Sequence, residues 1–185
     1  PPILVGQWDF NDPENLTAAT VGTDLLLIGS HTAMAGFNES DGAARIGLTS
    51  FYSCQHGIAA NGGGFKVNEW SAVIDLSYPA SSMGYWKCLY QTNPFNSDDG
   101  DCFIHPDGSI GVAATGHSGS DEGTPGFYAL ADTWYRLVIV VDNGSEYSIY
   151  ANGTKVLAGN VQSIDGRFSL EDTLLLFADE NGEDY

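Results

Sequence analysis

The segment Asn96–Asp101 holds the side chains of this 185-residue chain that best suit a metal ion. Gly100 permits a tight bend, and four of the six residues supply oxygen ligands: Asn96, Asp98, Asp99 and Asp101. Calcium takes about six to eight oxygen ligands, and a short loop can direct several of them inward. The spacing is not that of an EF-hand, and a solvated turn is the alternative. We predict Asp98, Asp99 and Asp101 as calcium ligands.

A second acidic cluster lies at the end of the chain. Four carboxylates fall within six residues: Asp179, Glu180, Glu183 and Asp184. Their charges repel one another, and a bound cation would remove that cost. Asp9 or Asp12 could complete the coordination shell, whereas an acidic chain end without a ligand is the alternative. We expect calcium here with Asp179, Glu180 and Glu183 among its ligands.

A polar cluster surrounds the glycine-rich segment Asn61–Gly64. It consists of His56, Asn61, Asn68 and Glu69. A histidine and a glutamate can form an acid–base pair. The alternative is that these side chains brace the glycine loop through hydrogen bonds. We predict His56 and Asn61 as ligand-binding residues.

The motifs of common enzyme classes are missing from the sequence. Sandwich glucanases carry Glu-x-Asp-x-x-Glu, whereas the matching strand here has Glu69 and Asp75 without a second Glu. Retaining glycosidases need two carboxyl groups about 5–5.5 Å apart, and no local spacing supplies them. The sequence also lacks a nucleophile elbow, a zinc-ligand spacing and a phosphate-binding loop. A protein without catalytic activity is therefore expected.

Aromatic residues support a binding function. Many lie in or beside predicted strands: Tyr52, Tyr85, Trp86, Tyr90, Phe95, Tyr128, Trp134, Tyr147 and Tyr150. Aromatic rings on a sheet face can stack on sugar rings, although packing in the core or at an edge is the alternative for each. The residues predicted to contact a ligand are Tyr85, Trp86, Tyr90 and Tyr128. Trp8, Phe10 and Trp70 are assigned to the core.

The three cysteines and four glycosylation sequons bear on the cellular compartment. Cys88 and Cys102 flank one predicted hairpin, where opposed positions bring Cα atoms to about 5.5 Å, so we predict a disulfide between them and a buried thiol at Cys54. The sequons predict N-glycosylation at Asn15, Asn38, Asn143 and Asn152. The last two also begin Asn-Gly pairs, which are typical of hairpin turns.

The charge balance excludes several partner classes. Six Lys and Arg residues oppose 24 Asp and Glu residues, for a formal net charge of −18. This charge argues against nucleic acid and anionic lipid as partners, and it is compatible with divalent cations and neutral glycans. No apolar run of about 18 residues predicts a membrane-spanning helix. The start at Pro1 without Met suggests a processed chain, and the acidity and the expected disulfide favour secretion.

The elements that must position these residues are strands. Apolar alternation and turn residues predict at least ten strands without helical periodicity, and therefore a single all-β domain built as a two-sheet antiparallel sandwich. The predicted strands are Ile3–Phe10, Asp24–Ile28, Ala44–Leu48, Phe51–Gln55, Glu69–Tyr78, Tyr85–Gln91, Cys102–His105, Ile110–Ala114, Trp134–Asp142, Tyr147–Ala151, Lys155–Leu157 and Leu174–Phe177. Residues 29–42 and 115–126 are expected to be loops.

The order of several short segments resembles the laminin G-like, concanavalin A-like jelly-roll domains of secreted proteins. The resemblance rests on Trp8–Phe10, His56–Ile58, Asn61–Gly64, Lys66–Glu69, Leu89–Thr92, Asn96–Asp101, Gly108–Gly111, Trp134–Arg136, Tyr150–Gly153, Asp165–Leu170 and Phe177–Glu180. It implies a jelly roll of two curved antiparallel sheets that binds glycans or extracellular proteins and often holds calcium. Such domains usually continue past Phe177–Glu180 into a final strand, whereas this sequence stops at Tyr185.

The expected function is therefore a non-catalytic extracellular carbohydrate-binding module stabilised by calcium. The alternative is a structural or adhesive extracellular subunit that assembles by strand complementation, as a homo-oligomer or within a longer chain with attached domains. The expectation of a missing final strand motivates this alternative, because an incomplete sheet leaves an edge that another chain can pair with.

Overall fold

The computed structural model describes residues 2–95, 100–112, 116–119 and 126–179. These residues form thirteen β-strands and one 3₁₀ turn at Ala80–Ser82, which confirms the all-β class. The strands are β1 Leu26–Ile28, β2 His31–Ala35, β3 Gly42–Ile46, β4 Phe51–Gln55, β5 Glu69–Leu76, β6 Lys87–Gln91, β7 Asp101–Ile104, β8 Ile110–Val112, β9 Gly116–His117, β10 Tyr135–Asp142, β11 Glu146–Ala151, β12 Thr154–Ala158 and β13 Thr173–Leu176.

The strands form three antiparallel sheets. The largest has seven strands in the order β1-β4-β13-β6-β7-β8-β9, and the second has four in the order β12-β11-β10-β5. A separate pair consists of β2 and β3. The last described strand, β13, lies between β4 and β6 inside the large sheet. No helix of the described residues is long and apolar enough to cross a membrane.

The seven-stranded and four-stranded sheets share one hydrophobic core. The ring of Tyr90 on β6 meets that of Trp70 on β5 edge-on, with centroids 5.4 Å apart. Strand β10 alternates as the sequence predicts, and its inward side chains are fully buried: Leu137, Ile139 and Val141. Burial of each such side chain contributes about 1.5–3 kcal/mol, so these alternating positions hold the two sheets together. The assignment of Trp70 to the core is confirmed.

The N-terminal segment packs beside a smaller cluster and is not a regular strand, so the predicted strand Ile3–Phe10 is wrong. Its only described pairing is a bridge between Gln7 and Val21. Phe10 packs against the buried Tyr52, with ring centroids 6.0 Å apart, and Trp8 also contacts this cluster. An apolar run becomes a strand only where a neighbouring backbone can pair with it. Trp8 and Phe10 are half-buried, and they pack against this cluster without belonging to its buried core.

Strand β2 occupies part of the predicted loop 29–42. It pairs with β3 from His31 opposite Ile46 to Ala35 opposite Gly42. Most of its side chains are exposed, so the backbone ladder forms without burying an apolar face. A strand of this kind carries no hydrophobic alternation that a sequence pattern could reveal.

The two Asn-Gly pairs make different turns. Asn152 and Gly153 lie at φ 49° and 82° between the paired residues Ala151 and Thr154, which confirms the predicted two-residue hairpin. The β10–β11 connection has three residues, from Asn143 to Ser145, and Gly144 at φ 91° is the residue that takes the left-handed conformation.

The predicted disulfide between Cys88 and Cys102 is not present. The register places Cys88 opposite Phe103 and Cys102 opposite Tyr90, with a bulge in β6 between Cys88 and Tyr90. All three cysteines lie in the described residues, are buried, and are not joined by a disulfide. Cys88 and Cys102 are therefore not directly opposed, which is the geometry that the prediction assumed.

Candidate functional site

A surface cleft of about 480 Å³ lies where the glycine-rich segment meets the start of β13. Its lining includes apolar side chains such as Ile58, Val67 and Leu170 and the charged side chains of Lys66, Glu171 and Asp172. The predicted ligand residue His56 also lines it. The cleft therefore combines an apolar lining with polar groups, as small-molecule sites do.

Two phenylalanines with exposed rings line this cleft. Phe65 is 95% exposed and follows the glycine segment, whereas Phe95 is 65% exposed and follows β6. Large apolar side chains at such exposure cost hydration free energy that burial against a ligand would recover. Phe95 is among the aromatic residues that the sequence places in or beside strands, whereas no sequence pattern indicates a binding role for Phe65.

Asp165 determines the position of the loop that carries Phe65. Its carboxylate accepts hydrogen bonds from the backbone N–H groups of Phe65 and Lys66 and from Asn68 Nδ2, all at 2.9 Å. These bonds, the one from Asn68 foremost, lower the pKa of Asp165. A Cβ on Gly64 would stand 2.2 Å from Asp165 Oδ1, so only glycine fits there. The exposed Phe65 thus stands on a braced backbone.

The buried side chain of Asn68 extends this bracing network. Its Oδ1 accepts hydrogen bonds from the backbone N–H of Asp165 at 2.7 Å, from Ser169 Oγ at 2.8 Å and from Asn143 Nδ2 at 3.1 Å. The network joins the glycine loop, the β10–β11 turn and the segment before β13. These buried hydrogen bonds favour one backbone arrangement, although Asn143 Oδ1 has no hydrogen-bond partner among the described residues.

Asn61 also braces the loop. Its Oδ1 accepts hydrogen bonds from the backbone N–H groups of Asn68 at 2.7 Å and Glu69 at 2.8 Å, and its Nδ2 donates to the Glu69 carbonyl at 2.9 Å. The side chain therefore meets backbone at both of its polar atoms. Asn61 therefore braces the glycine loop through hydrogen bonds, which is the alternative stated in the sequence analysis.

Both ring nitrogens of His56 contact backbone atoms. Its Nδ1 accepts a hydrogen bond from the Ile58 N–H at 3.0 Å, and its Nε2 contacts the carbonyl oxygen of Glu171. A carbonyl can only accept, so Nε2 carries the proton in this tautomer. The ring forms part of the cleft wall, and neither nitrogen is placed to act as an acid or base on a ligand.

An ion pair supplies polar groups to the cleft. Lys66 Nζ lies 2.9 Å from Glu171 Oε1, and both side chains are partly exposed. An ammonium and a carboxylate side by side offer donors and acceptors to the same hydroxyl-bearing molecule. Because the pair is solvated, its own contribution to stability is small.

A separate group of rings lies at the β6–β9 side of the large sheet. The Trp86 ring centroid is 5.5 Å from that of Phe103 and 4.4 Å from that of His105, whose centroid is 4.9 Å from that of His117. We call these four residues the Trp86 strip. Trp86 is 48% exposed, and Tyr85, which precedes it, is exposed as well. Tyr128 is also exposed, beside Gly119.

The prediction that Tyr90 contacts a ligand is wrong. Tyr90 is 1% exposed, and its hydroxyl oxygen lies 2.9 Å from that of Tyr147 in the core between the sheets. Burial raises its pKa well above the usual value, so the phenol stays neutral. This ring faces the four-stranded sheet, where it meets that of Trp70.

Most of the predicted calcium ligands lie outside the described residues: Asp98, Asp99, Glu180 and Glu183. Asp101 and Asp179 are described, and within the described ranges no three His, Cys, Asp or Glu side chains form a group that could hold a metal ion. The carboxylate of Asp9 accepts hydrogen bonds from Gln7 and Thr20. The calcium sites remain predictions.

The four sequons differ in accessibility. Asn15, Asn38 and Asn152 are exposed. Asn143 is buried, and its Nδ2, the atom that would carry a glycan, donates to Asn68 Oδ1 and to Ser169 Oγ. Glycosylation at Asn143 is therefore incompatible with this fold, which corrects the prediction at that position.

Neither a protein-family model nor a curated protein matches this sequence.

Proposed function

We propose that this chain is a non-catalytic extracellular carbohydrate-binding module of the jelly-roll type, and that the cleft beside Phe65 and Phe95 holds the sugar. The observation that carries the proposal is the nearly complete exposure of Phe65 on a loop held by Asp165. A mobile loop could expose an apolar ring by chance, but a braced loop presents it in one place. Preorganised rings lose little entropy on binding.

The dimensions and chemistry of the cleft support a short glycan. Its volume of about 480 Å³ lies within the usual range for ligand pockets. A sugar ring has an apolar face that stacks on Phe65 or Phe95, and hydroxyl edges that can bond with Lys66 and Glu171. The architecture supports the jelly-roll assignment, since two open antiparallel sheets share one core.

The arrangement supports binding without catalysis. Glu171 forms an ion pair with Lys66, and both ring nitrogens of His56 contact backbone atoms. Neither group is therefore placed to move a proton to a bound sugar.

Titration calorimetry against neutral oligosaccharides selected on a glycan array tests this proposal. Phe65→Ala should weaken binding by about tenfold or more, because the variant loses the stacking surface. Phe37→Ala is the matched control, since Phe37 is 68% exposed but does not line the cleft. Equal affinities for Phe65→Ala and the unmodified protein, or no neutral glycan bound at all, would overturn the assignment.

An adhesive subunit is the second candidate, and strand β5 favours it. Among the described strands β5 pairs with β10 alone, so its eight residues form a long sheet edge, and Val73 on it is exposed. Such edges pair with other chains. Sedimentation velocity in moderate salt would detect concentration-dependent association, which Val73→Lys should weaken. A monomer at all concentrations would contradict this candidate.

A further inference from the structure

The Trp86 strip gathers basic groups in a strongly acidic protein. The chain has six Lys and Arg residues and four His, against 24 Asp and Glu. His105 and His117 lie in the strip, and Lys87 follows Trp86 with its Nζ bound to the carbonyl oxygens of Ser82 and Tyr85 at 3.2 and 2.6 Å. The local charge therefore differs from that of the molecule as a whole.

The backbone fixes the tautomers of the two imidazoles. His105 Nε2 lies 2.7 Å from the carbonyl oxygen of Gly111, and His117 Nδ1 lies 3.1 Å from that of Ser118. Because a carbonyl oxygen only accepts, each of these nitrogens carries the proton of a neutral ring. The other nitrogen of His105, Nδ1, then holds a lone pair. Protonation converts that acceptor into an N–H donor on a cationic ring.

The charged groups around His105 set the conditions for this conversion. Burial is the largest effect and lowers the pKa of His105; the hydrogen bond to the Gly111 carbonyl opposes this shift. His117 and Lys87 also disfavour a cation there, whereas Asp107 favours one. Asp107 Oδ1 accepts hydrogen bonds from the N–H and hydroxyl of Ser109 at 2.9 and 2.7 Å. His105 is thus neutral at pH 7, and an added anion would stabilise its protonated form.

We propose that the Trp86 strip is a second binding site, which takes sugars bearing carboxylate or sulfate groups and does so in mildly acidic solution. The half-exposed indole of Trp86 stacks on the sugar ring, and protonated His105 donates a charge-assisted hydrogen bond to the anionic group. Near neutral pH the His105 imidazole presents an acceptor, and the acidic protein repels an anion. This inference does not rest on the cleft at Phe65.

The proposal is tested by measuring the binding of dextran sulfate and of alginate, with unmodified dextran as the uncharged control. The two polyanions separate sulfate from carboxylate ligands. At constant salt, the wild-type chain should bind at least one of the two polyanions about tenfold more tightly near pH 5 than near pH 7.5. Its affinity for unmodified dextran should not depend on pH in this way. His105→Gln should lose the pH dependence, and Trp86→Ala should weaken binding at the acidic pH.

Two controls separate the strip from general charge effects. His31→Gln removes an imidazole that bonds with Tyr52 on β4, outside the strip, and should keep the pH dependence. Phe37→Ala removes an exposed ring outside both the strip and the cleft and should leave polyanion binding unchanged. A dependence that survives in His105→Gln, or disappears equally in His31→Gln, would overturn the proposal.

A measurement on the unmodified protein remains decisive if a variant fails to fold. Saturating dextran sulfate or alginate should raise the pKa of His105, followed by NMR of its ring nitrogens, because an anion that binds the protonated form stabilises it. An identical His105 titration with and without either polyanion would refute the site.

Discussion

Asp165 does not line the cleft, but its carboxylate braces the loop that carries Phe65. It receives two backbone N–H groups of the loop and one side-chain amide. These donors stabilise the charged form, so the folded state lowers the pKa of Asp165. The position of Phe65, and with it the proposed glycan binding, depends on that charge.

The first prediction concerns Asp165→Asn. A lowered folded-state pKa contributes stability above the unfolded value of about 4, and this contribution is lost as pH falls through the folded value. The variant should therefore unfold at lower urea concentration than wild type near pH 6, and the difference should shrink steadily below about pH 4. Urea midpoints across this range check it.

Asp132→Asn is the matched control for that experiment. Asp132 is exposed and also has positive φ, so the variant makes the same charge change without touching the loop network. Similar destabilisation of both variants at pH 6 would mean that net charge, rather than the Asp165 hydrogen bonds, is responsible.

The second prediction concerns glycosylation of two similar sequons. Asn152 is exposed in a hairpin turn, whereas Asn143 is buried and donates two hydrogen bonds. After expression through a secretory pathway, glycopeptide mass spectrometry should find Asn143 unmodified, with Asn152 as the accessible comparison. Occupancy at Asn143 in folded protein would contradict the placement of the β10–β11 turn.

At the scale of elements, the meander β10–β11–β12 is specified by local features. Strand β10 alternates between buried and more exposed positions, and the second turn of the meander has Asn152 and Gly153 in the left-handed region. The third prediction is that Gly153→Val destabilises the protein by about 1–2 kcal/mol, because a β-branched residue is strained at φ 82°. Thermal or urea unfolding measures the loss.

Gly153→Asn is the control for this turn, because asparagine adopts the left-handed conformation much more readily than valine and a Cβ at this position meets no atom within 4 Å. Its stability should stay closer to that of the wild type. A loss in Gly153→Asn as large as that in Gly153→Val would show that strain at φ 82° is not the cause.

At the scale of the whole molecule, the net charge of −18 is the dominant feature. Like charges at this density oppose the compact state and favour any cation that binds the folded form alone. The calcium expected from Asp98, Asp99, Asp101, Asp179, Glu180 and Glu183 stays a prediction. Chelation should lower the melting temperature by several degrees at constant ionic strength.

Magnesium at the same concentration is the control for calcium. General screening would act equally with both ions, whereas a dedicated oxygen site of high coordination prefers calcium. Melting curves that do not change with chelator, or that respond identically to the two cations, would remove the calcium sites.

The sequence determined the features that depend on neighbouring residues. It indicated the all-β class, the inward face of β10, the core position of Trp70 and the hairpin at Asn152, because alternation and turn conformation are local. It mistook Ile3–Phe10 for a strand and β2 for a loop, since pairing depends on which backbone lies alongside.

The tertiary structure alone decided which side chains meet. Phe65 and Asp165 lie 100 residues apart in sequence, yet the carboxylate of one holds the backbone of the other. Tyr90 lies in the core, and the register of β6 and β7 places Cys88 opposite Phe103 rather than Cys102. A buried hydrogen-bond network makes the Asn143 sequon inaccessible. Contacts across such separations depend on the register and packing of whole sheets, which local residue patterns do not encode.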